Sequence, residues 1–395
     1  MQKFDIAVIG GGAAGIIAAI SARRNGKDVV ICEKMLRLGK KILISGSGRC
    51  NISNLDLSEA HYNPQSRELV KSIFSRFGRK KIEDFFNELG LKLCSEGNKV
   101  FPVTDQAASV LKVLEDELKN LKVAVELNFE VNGITGSAKG FTVKSKNGKS
   151  VSCDTIIITG GGKTYPSLGS EGSCYGLAKA FGHEIIEPVP SAVPLLAKDR
   201  FCHLLQGQKI QCIAKSIIDG KIQKEIEGEL LFTKYGLSGT AILDISEDIS
   251  IAINRLGKKL AQASVDMVPF MNSAELKEEI KRRIQKGLTV ENLMIGILPN
   301  KFSLVFGDLF EGRGAEEIVS ALKDKRFNII GTRGWNEAEF TAGGIDIKDI
   351  KEGTLESKLK KKAYFAGEIM DVNGERGGHN LAWAWSSGFV AGLTE

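Results

Sequence analysis

The sequence is poor in the residues that build metal sites, disulfide frameworks and nucleic-acid stacking surfaces. Its 395 residues include only 4 histidines, at positions 61, 183, 203 and 379, too far apart for metal-ligand spacing. The 7 cysteines (positions 32, 50, 94, 153, 174, 202 and 212) are odd in number and contain no C-x-x-C pair. That excludes a redox-active dithiol motif, argues against a disulfide framework and fits a reducing compartment. Aromatic residues make up 7% and the lysines are scattered, so no basic stripe interleaved with aromatics marks a nucleic-acid surface. No apolar run is long enough for a membrane span; the best, residues 4–20, is broken by Asp5 and four glycines. The expectation is a cytoplasmic protein without a membrane partner. Nothing in the sequence sets its oligomeric state.

What is present is ample apolar material. Hydrophobic residues make up 43%, enough for two or three packed cores, since single cores stop growing near roughly 250–300 residues. Charges of both signs are mixed along the chain and sum to +6, which favours solubility and gives some attraction for anionic ligands.

Residues 4–9 form an apolar run ending in glycines, which reads as a buried parallel strand. Residues 13–25 read as a helix stopped by Gly26, and residues 28–32 as a second strand. This βαβ opening predicts an α/β fold: a three-layer, Rossmann-type domain with a parallel sheet. Residues 67–89 and 105–118 carry helical patterns. Alternation over residues 123–151, broken at Asn132-Gly133 and Asn147-Gly148, predicts a β-meander. Residues 154–159 and 363–369 read as further buried strands, and residues 380–393 as a last helix. Residues 191–270 read as short β-segments with turns at Asp219-Gly220 and Tyr235-Gly236. Residues 272–325 read as helices, and 327–350 return to β character. The expected division is a Rossmann-type domain over 1–189 and 346–395, with a β-barrel-like insertion (190–271 and 326–345) and a helical subdomain (272–325).

The motifs narrow the ligand. Gly10-Gly11-Gly12-Ala13-Ala14-Gly15 is a G-x-G-x-x-G fingerprint between a strand and a helix. Gly10 permits the tight turn, Gly12 lets backbone approach a pyrophosphate, and Gly15 lets the helix pack on the strand, with Ala13 and Ala14 opening that helix. Glu33 ends the second strand about 20 residues on, where an acid accepts hydrogen bonds from a ribose. That context marks a dinucleotide but does not choose FAD over NAD; three later features choose FAD. After Glu33-Lys34 comes the loop 39–51, in which Ser45, Gly46, Cys50 and Asn51 let backbone press on a flat ring while Lys40 and Arg49 supply charge. Thr159-Gly160-Gly161 closes a strand where backbone can approach the adenosine side. Near the C-terminus, Gly367-Glu368 ends another strand, and Gly378, Asn380 and Leu381 open the last helix. Glu368 is positioned to accept from ribityl hydroxyls, and the helix-start N–H groups to stabilise charge at the flavin N1/O2 edge. Small residues at 384, 386, 387, 388 and 391 serve close packing of that helix. Gly160-Gly161-Gly162-Lys163-Thr164-Tyr165 ends in Tyr where a third glycine is needed, so no second dinucleotide domain exists and NADH or NADPH is expected only as a transient donor.

These segments, with 231–239 and 341–345, resemble the BaiN/YhiN family of bacterial NAD(P)/FAD-dependent oxidoreductases, which includes aminoacetone oxidase-like proteins. The resemblance runs over nearly the whole chain, and its Ser-Gly-x-Gly-Arg-Cys-Asn block (45–51) is specific. It implies an FAD domain built from both chain ends, with the barrel and helical parts inserted. At a distance it is similar to the succinate dehydrogenase/fumarate reductase flavoproteins, where the glutamate of Ala-Gly-Glu contacts the ribityl chain. The family often has Tyr where His379 stands and Pro where Thr240 stands. The expected activity is hydride transfer between flavin N5 and a small or steroid-like organic substrate, by enone reduction or amine oxidation. Arg49, Tyr165 and His379 are candidate proton donors or anion partners; the plainer reading of His379 is a surface residue. Cys50 is expected to be structural. A flavoprotein acting on tRNA and a non-catalytic flavin sensor are the alternatives.

Overall fold

A computed structural model describes residues 3–137 and 140–394, and the chain divides into two compact units, residues 1–188 with 340–395 and residues 189–339. Residues 340–345, expected in the barrel-like insertion for their β character, belong to the first unit. Each unit has its own hydrophobic core.

The first unit is a Rossmann-type fold. Lys3–Ile9 lies centrally in a seven-stranded sheet, parallel to Val29–Cys32 on one side and Ser150–Ile158 on the other. Burial on both faces explains the continuous apolar runs Ile6–Ile9, Val29–Cys32 and Ile156–Ile158. Ala124–Glu126 extends the sheet in parallel beyond Val29–Cys32. On the other flank, Gly140–Ser145 and Val131–Ser137 add an antiparallel meander to the lower half of Ser150–Ile158. Its upper half pairs in parallel with Ala363–Phe365, so the C-terminal segment completes the sheet. The turn expected at Asn132-Gly133 is instead a bulge inside a strand, where the register shifts between Val131 and Gly133. Asn147-Gly148 does turn, with Gly148 at φ +84°. The helical stretch 67–89 breaks into Arg67–Arg76 and Arg79–Glu88 around Phe77-Gly78.

The second unit is a closed antiparallel barrel. The strands run Leu195–Ala197, Gly236–Ser238, Lys221–Thr233, Lys209–Ile218, Ala261–Asp266 and Lys325–Thr332, returning to Leu195–Ala197. Thr240–Ser250 is a helix, not the short strands expected there: Ala241, Ile242, Ile245 and Ile249 recur at helical spacing and are buried. Ser273–Gln285, Ser303–Phe310 and Ala315–Lys323 are the helices of the 272–325 stretch.

Two helices in the first unit meet backbone to backbone. The fingerprint helix, Ala13–Arg24, is packed by the C-terminal helix, His379–Gly392. A Cβ on Gly388 would overlap the Ala14 carbonyl oxygen, and one on Gly392 the Ala18 carbonyl oxygen. Gly388→Val is therefore expected to destabilise the protein by about 1–3 kcal/mol, the usual cost of overpacking. Gly176→Ala, in the helix Tyr175–Ala180 where a Cβ meets nothing within 4 Å, should stabilise by about 0.5–1 kcal/mol. Urea melts of the two variants measure both; equal midpoints would refute the close packing.

Candidate functional site

The strand Lys3–Ile9 must turn into a helix within three residues, and its glycines differ in what they face. Gly10 sits at φ +105°, and a Cβ on it would lie 2.7 Å from the Thr159 carbonyl oxygen. A Cβ on Gly15 would overlap the Gly10 carbonyl oxygen. Thr159 supports this turn through its hydroxyl, which donates to the Ile9 and Gly10 carbonyls at 3.0 and 2.8 Å. Gly12 is different. Its φ of −85° is ordinary, and a Cβ there meets no atom within 4 Å. Neither backbone geometry nor packing demands glycine at position 12. The open space beside it fits a pyrophosphate at the start of a helix.

Glu33, 9% exposed, ends its strand against this turn. Its Oε2 accepts from the Gly11 N–H at 2.6 Å and its Oε1 from the Met35 N–H at 2.7 Å. Lys34 pairs with Glu171 at 2.6 Å. The strand-end glycines 160–162 close on the same region. A Cβ on Gly160 would strike the Cys174 side chain, and one on Gly162 the side chain of Thr341.

The charge that reaches the Gly367-Glu368 turn comes from Lys41, the neighbour of the Lys40 named in the sequence reading. Lys40 Nζ points to the Ser167 carbonyl at 3.5 Å. Lys41 Nζ donates to Glu368 Oε2 at 2.5 Å and to Thr164 Oγ1 at 2.7 Å. Glu368 Oε1 accepts from the Thr341 N–H at 3.0 Å, and Thr341 Oγ1 accepts from the Lys163 N–H at 2.8 Å. Lys41, Thr164 and Thr341 were absent from the sequence expectation. So were Trp383 and Trp385. Trp383 Nε1 donates to the Gly367 carbonyl at 3.2 Å, and Trp385 Nε1 to the Ile52 carbonyl at 3.1 Å. Ser387 Oγ accepts the Gly367 N–H at 2.9 Å. The C-terminal helix thus holds both segments that were expected to meet the flavin. Two tryptophans among small residues were the signal available for this.

The loop 45–51 is tightly built. Gly46 and Ser47 lie in the left-handed region, Ser45 Oγ donates to the Ile42 carbonyl at 2.6 Å, and the Cys50 N–H to the Ser45 carbonyl at 2.9 Å. Burial pushes the fully enclosed Cys50 thiol up to about 12, so it is no thiolate near neutral pH. Arg49 is committed to two acids of the chain itself. Its guanidinium pairs with Glu96 and Asp105 and lies over Phe101 at 4.2 Å. The hydrogen bond to Glu96, then that to Asp105, raises its pKa further. Tyr165 is half-buried on a left-handed φ of +58°.

At the start of the C-terminal helix, Gly378 sits at φ +104°, pressed on Ser53 and Asn51. Asn380 uses its side chain on Gly374, accepting its N–H at 2.9 Å and donating to its carbonyl at 2.7 Å. The first N–H groups of any helix lack intrahelical acceptors, so those of Asn380 and Leu381 are available to a ligand. Asn51 Oδ1, Ser53 Oγ, His379 Nδ1 and Ser386 Oγ are buried with no hydrogen-bond partner among the described residues. Such a concentration of unmet polar atoms calls for a ligand or ordered water. His379 is 3% exposed and therefore not the surface histidine expected.

With the open pyrophosphate turn, the acid at the second strand and the C-terminal return in one unit, the chain falls in the class of FAD-dependent oxidoreductases. A family model described as HI0933-like protein Rossmann domain matches residues 4–394, and the chain belongs to that family. It is 34% identical to a 3-dehydro-bile acid delta(4,6)-reductase of Clostridium scindens, over 98% of each chain. It is 31% identical to a ribosomal RNA dihydrouridine synthase of Escherichia coli, over 99% of this chain and 97% of that one. Among solved structures, the fold is similar to the 3-ketosteroid delta1-dehydrogenase of Sterolibacterium denitrificans, with a TM-score of 0.53 and 13% identity over 99% of each chain. No helix of the described residues is long and apolar enough to cross a membrane.

Two outcomes are expected. Gly12→Val should fold with an unchanged urea midpoint yet bind FAD about 10–150-fold more weakly, equivalent to about 1.5–3 kcal/mol. Unchanged affinity by flavin-fluorescence titration would remove Gly12 from the site. Separately, of the seven thiols only Cys94 is exposed. Ellman's reagent should react rapidly with one thiol in the native protein and with all seven after denaturation; a second fast thiol that is lost in Cys50→Ser would show that the Cys50 loop opens.

Proposed function

We propose that this flavoprotein reduces a carbon–carbon double bond conjugated to a carbonyl group, with NADH or NADPH as a donor that binds transiently. The observation that carries this reading is the full-length match to a relative named for delta(4,6) reduction of a 3-dehydro-bile acid. The name of the second relative specifies saturation of the uracil ring beside its carbonyl, so the two share one acceptor chemistry. Bound FAD supplies the hydride that such an acceptor takes at its β-carbon.

The chain's own residues bind and orient. Glu33 holds the ribose, Gly12 leaves room for the pyrophosphate, and the 45–51 loop with Thr159, Gly160 and Gly161 packs against the cofactor. Glu368, fixed by Lys41, faces the ribityl chain. The N–H groups of Asn380 and Leu381 take the negative edge of the ring. The enclosed Cys50 thiol supports direct transfer to the substrate without a thiol relay. Of the three candidate proton donors, Arg49 is committed to Glu96 and Asp105 and His379 is buried. Tyr165 is the donor we assign to the α-carbon.

A small steroid-like ketone is the first acceptor class. Uracil in ribosomal RNA is the second, favoured by the Escherichia coli relative, whose name weighs against the inference drawn from scarce aromatics. The test is anaerobic reduction of the purified holoprotein by NADH and by NADPH, followed by mixing with a 3-keto-Δ4 steroid or with ribosomal RNA. The expected result is flavin reoxidation by the ketone and a product two mass units heavier (two hydrogens, by the stoichiometry of hydride plus proton). Reoxidation by RNA alone would select the second class, and reoxidation by neither would overturn both.

A further inference from the structure

The start of the C-terminal helix carries a side-chain arrangement that the reading above does not use. The His379 ring lies face to face with His61, centroids 4.5 Å apart and planes 24° apart. Tyr62 meets it edge-on at 6.0 Å and donates its hydroxyl to the His379 carbonyl at 2.7 Å. His61 has a carboxylate at each ring nitrogen: Glu375 Oε2 is 2.9 Å from Nδ1, and Asp56 Oδ2 is 3.0 Å from Nε2. A neutral imidazole has one N–H; only the imidazolium donates to both carboxylates. The cation of the stack is therefore His61, and burial together with like charge leaves His379 neutral.

The electrostatic surroundings of the two rings agree with this geometry. Burial opposes charge on His61, but its hydrogen bonds to Glu375 and Asp56 outweigh burial and raise its pKa. For His379, burial first and the His61 charge second push the pKa down to about 4, against the opposing pull of Glu375 and Asp56. Two further cations lie near: Arg67 is turned to the carbonyls of Tyr62 and Ala60, and Arg376 adjoins Glu375 in sequence. Residues 380–392 of the helix carry no charge.

We propose that His379 is a positioning residue of the flavin site, kept as a neutral imidazole by the His61 cation stacked on it, with Asp56 and Glu375 fixing that cation in place. This rests on the flavin reading of the helix start. His379 is the first residue of the helix, next in sequence to Asn380 and Leu381, and its ring carries the orphaned Nδ1. A flavin covering this end withdraws water from the ring and so disfavours its protonated form. By linkage, protonating His379 weakens FAD binding. In the native protein that loss is confined to acid, because the neutral form persists until the pH falls to about 4. Removing His61 takes away the like charge while Asp56 and Glu375 still favour the protonated His379, and the same loss moves toward neutral pH.

The test compares the wild-type holoprotein with His61→Asn and with the double variant His61→Asn/His379→Asn. Ring-nitrogen NMR follows each histidine, and only 4 are present. In His61→Asn the proton affinity of His379 should rise at least about tenfold, or one pH unit. FAD dissociation, followed by flavin fluorescence, should be flat in wild type between about pH 5.5 and 8. In the single variant FAD binding should weaken about tenfold as pH falls through the new His379 midpoint, and in the double variant it should be flat again. His61→Gln repeats the measurement should the Asn variant not fold. An unmoved His379 midpoint, or a flat profile in the single variant, overturns the proposal. A wild-type protein that binds no FAD overturns the flavin reading instead, and the NMR arm then still decides the histidine pair.

Discussion

Two helix backbones in direct contact set the geometry of everything around them. Gly388 and Gly392 let the last helix lie on the carbonyls of Ala14 and Ala18, which belong to the helix that opens the pyrophosphate turn. From that one contact the last helix reaches outward. Ser387 and Trp383 hold the turn at Gly367 from both sides, and Trp385 anchors Ile52. Gly378 presses on Ser53. Two segments distant in sequence, Ile52-Ser53 and the Gly367 turn, are thus aligned by a single packing register. Side chains larger than hydrogen at positions 388 or 392 would move both together, because a close-packed interior transmits strain.

The cations along this site are mostly committed to acids. Lys34 pairs with Glu171, Lys41 with Glu368, Arg49 with Glu96 and Asp105, and His61 with Asp56 and Glu375. In the proposed reading, the field for an anionic cofactor would come chiefly from backbone: the N–H groups at the glycine turn and at the start of the last helix. Backbone dipoles do not titrate and need no reorganisation. That suits a site that must hold its electrostatics constant while a bound ring changes charge.

The parts legible in the sequence were those whose cause is local. The glycine turn, Glu33 at the strand end, the buried parallel strands and the C-terminal return each follow from a few adjacent residues. The parts that were not legible depend on distant partners. Lys40 and Lys41 are neighbours on a short helix and project about 100° apart, so composition alone cannot say which one reaches Glu368. Arg49 reads as an anion ligand until Glu96 and Asp105 arrive from 47 and 56 residues away. His379 reads as exposed because the residues covering it, His61 and Tyr62, lie more than 300 positions earlier. The helix Thr240–Ser250 was missed because Ile-rich spacing satisfies both periods over so short a span. Asn132-Gly133 is a turn dipeptide placed in a bulge, where the same backbone freedom serves a different purpose.

The contact between Ala14 and Gly388 also has a consequence in time. The two residues are separated by 374 positions, and ribosomes add about 5–20 residues per second. The first helix therefore waits roughly 20–75 s, from its own synthesis, for the helix that covers it. During that interval the nascent chain exposes an apolar helix face and, once residue 158 has been made, an unfinished sheet edge at Ile156–Ile158. Ala363–Phe365 has not yet been made to pair with that edge. The barrel unit, whose strands all lie between residues 195 and 332, has its complete set of partners earlier. The order of assembly is thus written into the topology. The inserted unit can close on the ribosome, while the nucleotide-binding half stays open to chaperones, and to its cofactor, until the chain is nearly complete.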